Sequence, residues 1–241
     1  TASAGDTIAL SRYITPDEEM AALVSELEAP VTELQEQPIN ATTDVLLMGE
    51  RTVCRIEECN LGNVIADAMR AETSAQIAIM NGGGIRASIE AGDITLGEVL
   101  MVQPFGNTIA TFEIKGVDII AALENGVSQI KVDAGKVVRA GGAGRFPQVS
   151  GLRFSFDPNL EAGNRVQSVE VLGENGEYSE IDLEAIYSVV TNNFVRQGGD
   201  GYSMFNENAI DPYDFGRVDY EALVDYLAAN SPISAETEGR I

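Results

Sequence analysis

The sequence contains no histidine. The commonest transition-metal ligand and the commonest general base are therefore both missing. A histidine-based catalytic triad is impossible, and a zinc or di-metal hydrolase centre is not expected in this chain. If the polypeptide belongs to an enzyme, its reactive machinery is expected elsewhere. Lysine is almost as scarce, with only Lys115, Lys131 and Lys136, and 15 basic residues face 38 acidic ones for a net charge of −23. Nucleic acid and anionic membrane are bound by neutralising phosphate with Lys and Arg, so neither is an expected partner. No apolar run approaches the ~18 residues of a membrane helix, and no membrane span is expected. Neither end carries a secretory signal or transit peptide, which makes a mature or trimmed chain the expectation.

Cysteine occurs twice, at Cys54 and Cys59. Without histidine or further cysteines the pair cannot build an ordinary zinc site, and its spacing is not that of a redox C-x-x-C. Two readings stand. The preferred one is a local disulfide, worth about 2 kcal/mol on the chain-entropy model and pointing to a periplasmic or extracellular compartment. The other is a pair of buried thiols.

What is present suffices for a folded domain: 241 residues with 44% hydrophobic content. Residues 13–37 read as an amphipathic helical arm, with Thr15 as cap, Pro16 in the first turn and Glu18 completing a capping box. Its apolar stripe is Met20, Leu23, Val24 and Leu27, with a kink or restart expected at Pro30 before Val31 and Leu34. From Pro38 the texture is mixed. Asn60 is placed to cap a helix carrying Leu61, Val64, Ile65, Ala68 and Met69. Residues 77–80 read as a buried strand, 96–101 as a short helix, 108–115 as a half-buried strand and 117–129 as an amphipathic helix. The Gly-rich stretch 131–144 reads as a mobile loop. Residues 152–156 and 166–172 read as neighbouring strands, 186–191 as a central strand, and 220–228 as a helix closing the chain. This is an α+β pattern of mixed sheets with packed helices rather than regular βαβ alternation.

Four features carry chemical potential. Arg51 and Arg55 lie four apart beside the cysteines and share a face if that segment is helical. Asn81-Gly-Gly-Gly-Ile-Arg86 follows a strand. Its glycines let backbone N–H groups approach a ligand, and Arg86 adds a forked cation suited to phosphate or carboxylate. Gln103-Pro-Phe-Gly-Asn107 and the Asn193-to-Gly201 segment each place a phenylalanine, Phe105 and Phe194, on a strand-end loop. Two such rings can clamp a planar base at about 1–3 kcal/mol per contact, and Asp200 can accept from ribose hydroxyls. The plainer alternatives are arginines paired with surface acids and phenylalanines that plug the core. Taken together, cations, flat rings and a carboxylate meet the needs of a nucleotide.

The ordered set Asn60-Leu-Gly-Asn63, Asn81-Gly-Gly-Gly-Ile-Arg86, Gln103-Pro-Phe-Gly-Asn107, Phe146-Pro-Gln-Val-Ser-Gly151 and Asn193-Phe-x-x-x-Gly-Gly-Asp-Gly201 resembles the C-terminal domain of the 5′-nucleotidases, a periplasmic or cell-surface family that includes UDP-sugar hydrolases. The likeness runs from about residue 40 to 230. It implies a substrate-binding domain, residues 38–241, preceded by an N-terminal segment and interdomain linker helix, residues 1–37. In the parent plan a separate N-terminal metallophosphoesterase domain holds two divalent metal ions and the catalytic His–Asp pair, so no catalytic residue, metal or cofactor is expected in this chain. The resemblance makes Phe105 and Phe194 the rings that sandwich the base, Asn107 and Asn81 base-contacting positions, and Asp200 the ribose ligand. It places Arg55 and Arg86 on the phosphate and sugar side, with Arg51 as a further arginine. The Cys54/Cys59 spacing also matches a disulfide of some animal members.

The implied activity is hydrolysis of nucleoside monophosphates by the intact secreted protein, with AMP-like nucleotides as ligand; cyclic nucleotides and UDP-sugars are further substrate classes. The isolated chain is expected to bind nucleotide weakly without hydrolysing it. A sulfur-oxidation thiohydrolase relative and a non-enzymatic nucleotide-binding or adhesion module are the alternatives.

Overall fold

The computed structural model describes residues 14–139 and 144–241. The chain opens with helix α1 (Glu18–Gln35), strand β1 (Pro38–Thr43), helix α2 (Asn60–Thr73), strands β2 (Ile77–Asn81) and β3 (Gly92–Thr95), and helix α3 (Leu96–Val102). Strand β4 (Ile109–Lys115), helix α4 (Gly116–Val127) and strands β5 (Ile130–Asp133), β6 (Lys136–Arg139), β7 (Pro147–Ser150), β8 (Leu152–Phe156), β9 (Val166–Leu172), β10 (Tyr178–Glu180) and β11 (Ile186–Asn192) follow. The remaining elements are helices α5 (Asn193–Arg196) and α6 (Ser203–Glu207), strand β12 (Ile210–Tyr213) and helix α7 (Asp219–Ala229).

The centre is a five-stranded mixed sheet in the order β12-β4-β11-β2-β7, with β11 and β2 parallel and the other pairs antiparallel. Strand β2 explains why the sheet is sandwiched. All five of its residues are buried, and since successive side chains point to opposite faces, it feeds two cores. Ile77 and Ile79 enter one with α4 and strands β8 and β9, while Ala78 and Met80 enter the other with α2 and α7. The expected strand 186–191 is indeed central, and β8 and β9 pair as neighbours. The α+β class with mixed sheets and packed helices is what the chain forms.

Several local expectations are corrected. Helix α1 is capped by Asp17, whose Oδ1 accepts from the Met20 N–H at 3.0 Å, and not by Thr15. Pro30 lies inside one continuous helix: proline lacks the N–H of a single intrahelical bond, and here that loss does not end the helix. Asn60 is the first residue of α2, not its cap. Its side chain accepts from Met48 N–H at 2.7 Å and donates to the carbonyls of Leu46 and Ala235, tying a loop to the C-terminal tail. The stretch read as a mobile loop contains a hairpin instead, β5 against β6, with Ala134 and Gly135 both at positive φ as a two-residue turn requires. Residues 140–143 of that stretch lie outside the described residues. Finally, α7 does not close the chain. The tail returns to α2, where Arg240 forks onto Asp67 with two bonds of 2.9 Å and Glu58 accepts from the backbone N–H groups of Glu238 and Arg240.

Among the described residues no helix is long and apolar enough to cross a membrane.

Candidate functional site

Strands β2, β4 and β11 deliver their ends to one cleft of about 450 Å³. β2 supplies Asn81 and the glycines after it, the turn before β4 supplies Phe105 and Asn107, and the segment after β11 supplies Phe194 and Asp200. Arg55 and Arg86 complete the wall with Gly144. Seven of the eight candidate binding residues thus meet in one place. Arg51 does not: it is exposed on the turn leading to the cysteines and does not line the cleft.

The two rings do not plug the core. Phe105 is 57% exposed and Phe194 47% exposed, and neither belongs to the two buried apolar clusters. Arg86 sits over the Phe105 ring with its guanidinium carbon 5.5 Å from the centroid, a cation–π distance. Phe194 lies on α5, whose N-cap is the Asn192 side chain accepting from Val195 N–H at 2.9 Å. Beneath it a Cβ on Gly199 would come within 2.6 Å of the Phe194 ring and 2.5 Å of its carbonyl oxygen. Glycine is required there so that the turn and the ring can touch.

Asp200 stands in a left-handed conformation, φ 54° and ψ 19°, a region that holds about 1–3 kcal/mol of strain for a residue with a side chain. Its restraint is a relay of amides. Asn81 Nδ2 donates to Asp200 Oδ2 at 2.8 Å, and Asn192 Nδ2 donates to Asn81 Oδ1 at 2.9 Å. Asn125 Nδ2 holds the Asp200 carbonyl at 3.2 Å. Asn81 therefore spends its amide on aiming the carboxylate. Asn192 and Asn125 were not singled out from sequence, and only their positions at a strand end and in a helix preceded the structure.

The glycine triplet lines the cleft through Gly83 and Gly84 and also packs backbone against backbone. Gly82 and Gly83 donate their N–H groups inward, to Phe146 O and Gly144 O, both at 2.7 Å. A Cβ at Gly82 would fall 2.1 Å from the Cys54 carbonyl oxygen. The glycines let three backbones meet, and in doing so they draw the cysteine turn against the cleft.

That turn carries Arg55, 5% exposed. Cys54 and Cys59 form a disulfide with S–S 2.08 Å and Cα–Cα 5.2 Å. Gln148, wholly buried on β7, clamps the same turn: its Nε2 donates to Cys54 O and Glu57 O, and its Oε1 accepts from Cys59 N–H at 3.0 Å. Its place inside the Phe146-to-Gly151 motif was the one signal for it.

Asn107 is fixed from behind by Asp219, the first residue of α7. The Asp219 N–H donates to Asn107 O at 2.8 Å, and Thr108 bridges Val218 beside it. The Asp219 carboxyl is 3% exposed, and burial pushes its pKa up to about 6, opposed by the hydrogen bond from the Tyr220 N–H. No sequence signal separated Asp219 from the other acids.

The sequence matches the family described as "5′-nucleotidase, C-terminal domain" over residues 39–207. This chain belongs to that family. It is 47% identical over 204 residues to the trifunctional nucleotide phosphoesterase protein YfkN of Bacillus subtilis, covering 83% of this chain and 13% of that protein. A snake venom 5′-nucleotidase of Gloydius brevicauda is 31% identical, with 99% of this chain and 42% of the relative covered. The crystal structure of a 5′-nucleotidase precursor from Thermus thermophilus superposes with a TM-score of 0.82 at 47% identity, over 93% of this chain and 43% of that one. The chain thus spans less than half the length of each.

The residues present do not fit a two-metal centre. The sequence has no histidine, and among the described residues no group of three or more His, Cys, Asp or Glu side chains comes together in a way that could hold a metal ion.

Proposed function

We propose that the cleft binds a nucleoside monophosphate, and that this chain is the substrate-recognition domain of a secreted 5′-nucleotidase-type phosphoric monoester hydrolase. The observation that carries this reading is the pair of half-exposed phenylalanines, Phe105 and Phe194, lining the same cleft as one oriented carboxylate and two arginines. In it the rings stack on the base, Asp200 accepts from the ribose hydroxyls, and Arg55 and Arg86 meet the phosphate side with fixed guanidinium forks. Asn107 reads the base edge, Asn81 aims Asp200, and Arg51 meets the ligand only from outside the cleft. The lining of the cleft by both arginines supports phosphate over a neutral nucleoside as ligand.

Phosphate ester hydrolysis in this reading belongs to a separate N-terminal metallophosphoesterase domain, whose two divalent ions would supply the activated water. The isolated chain binds without turnover. Residues 1–37 are then the linker, which fits helix α1, no residue of which is buried and whose stripe of Met20, Leu23, Leu27 and Val31 is exposed. The buried disulfide and the venom origin of one relative support a periplasmic or extracellular site for the protein.

Calorimetric titration with AMP and adenosine tests this. AMP is expected to bind, adenosine more weakly, and the Phe105→Ala, Phe194→Ala double variant to lose binding. A double variant that binds AMP like the parent overturns the assignment of the rings. Metal-dependent phosphate release by the purified chain would overturn the separation of binding from chemistry.

A further inference from the structure

Parallel pairing of β2 and β11 brings their last residues, Asn81 and Asn192, to the same edge of the sheet. Asn192 is wholly buried and Asn81 is 4% exposed. A primary amide can be turned end for end with no change of shape, so its neighbours decide which group faces where. Here the decision starts at a group that cannot turn. The Val195 N–H, one of the donors that the first turn of α5 leaves without a partner inside the helix, donates to Asn192 Oδ1 at 2.9 Å. Asn192 must then point Nδ2 the other way, where it donates to Asn81 Oδ1 at 2.9 Å and to Met80 Sδ at 3.4 Å. With its oxygen engaged, Asn81 turns Nδ2 to Asp200 Oδ2 at 2.8 Å. Reversing either amide would set two donors or two acceptors face to face in the interior, where an unmade bond is costly.

We infer that Asn192 is a positioning residue for sugar recognition. By fixing the direction of this relay it keeps a donor on Asp200 and holds the carboxylate toward the vicinal hydroxyls of a ribonucleotide. The cleft is thereby selective for nucleotides that carry those hydroxyls over their dideoxy analogues. The inference rests on the reading of the cleft as a nucleotide site. Because the relay starts at Val195, next to Phe194, the segment that presents one ring also sets the sugar ligand. Asn192 itself does not line the cleft, so its part is played through Asn81.

The test is calorimetric titration of the 241-residue chain with AMP and with 2′,3′-dideoxyadenosine monophosphate. The parent is expected to bind AMP about tenfold or more tightly, since a site built to hydrogen-bond a hydroxyl rejects the analogue that lacks it. Asn192→Asp keeps the shape and an acceptor for the Val195 N–H, but its second oxygen cannot donate to Asn81. Asn81 then turns Nδ2 back toward position 192 and presents Oδ1 to the Asp200 carboxylate, acceptor against acceptor. Asn192→Ser is the uncharged counterpart: serine also caps helices, but its side chain is too short to direct Asn81. Both substitutions are expected to bring the ratio to within about threefold, and to change affinity for the dideoxy analogue by less than about threefold. A role confined to capping α5 or filling the core would weaken both ligands together or neither. Phe194→Ala weakens both and leaves the ratio in place. In an Asn81→Ala background neither Asn192 substitution should change the ratio further.

Equal binding of the two ligands by the parent chain overturns the inference while nucleotide binding stands. A ratio that survives both Asn192 substitutions overturns it too, as does a loss shared equally by the two ligands. Binding of neither ligand by the parent removes the nucleotide reading itself, and the inference with it.

Discussion

The two phenylalanine-bearing loops present similar rings by opposite means. Phe194 is held from within its own segment: Asn192 caps its helix, and the Gly199 backbone lies in van der Waals contact with its ring. Phe105 stands on an open turn. Its neighbour Gly106 has φ +60° with nothing within 4 Å of where a Cβ would be. The restraints on Phe105 come from other elements, the Arg86 guanidinium over the ring and Asp219 behind Asn107. One ring is a fixed wall and the other an adjustable one. On the proposed reading, a clamp so built meets its ligand with little reorganisation on one side and adapts on the other, which limits the ordering cost of binding.

The sharpest way to break this contrast is Gly199→Ala. The added methyl meets the Phe194 backbone as well as its ring, and only a displaced helix α5 can relieve the backbone contact. We expect a loss of about 3 kcal/mol in stability from overpacking, together with a loss of AMP affinity of about tenfold or more, measured by chemical denaturation and calorimetry. A variant with the parent's stability would mean that the Phe194 wall is not fixed.

Asp219→Asn should separate function from stability on the opposite loop. Burial raises the folded-state pKa from 3.8 to about 6. Between those values the folded chain keeps a proton that the unfolded chain has lost, so folding stability falls as pH rises through the window. Above it the penalty is complete; below about pH 4 it vanishes. Removing the charge is expected to stabilise the fold by about 3 kcal/mol at pH 8 and by nothing near pH 3.5, read from denaturation midpoints of both proteins across the range. A difference that does not vary with pH would dissociate Asp219 from that titration. Stability given up at a binding site is a common trade.

Much of the scaffold was legible because its signals are local. The β-branched run before Asn192 marks a central strand, and the apolar stripe of α2, Leu61, Val64, Ile65, Ala68 and Met69, is buried in the structure. The cleft was legible as a set of motifs, but not as a mechanism. Asn81 and Asp200 are 119 positions apart, and no spacing rule announces that one aims the other. Asn107 and Asp219 are equally remote, as are Arg240 and Asp67, 173 apart. The glycine triplet was legible only in part for a related reason: close approach of backbone to ligand and of backbone to backbone demand the same residue. In the 131–144 stretch the glycines outweighed the alternation of Lys131, Val132 and Asp133 against Lys136, Val137 and Val138, which is the hairpin.

Single truncations sharpen the comparison further. Phe194→Ala removes a ring whose position is already determined, so nearly all of its stacking free energy is lost, about 2 kcal/mol of AMP binding. Phe105→Ala removes a ring that must settle onto the base against competition from Arg86, and the expected loss is nearer 1 kcal/mol. Isothermal titration of the two variants side by side decides the matter, and equal losses would remove the distinction between fixed and adjustable walls.

The smallest expected effect falls at Gly106. Alanine there meets no atom within 4 Å, so the only penalty is conformational, about 1 kcal/mol for a side chain at positive φ. That penalty can be avoided if the turn relaxes, and an adjustable loop is one that can relax. Gly106→Ala should therefore lower stability by less than about 1 kcal/mol and change AMP affinity by no more than about threefold. Set beside Gly199→Ala, the same one-methyl addition on the facing loop, it measures the asymmetry of the clamp directly. If Gly106→Ala were to abolish binding while leaving the fold intact, the Phe105 loop would be the more tightly specified of the two.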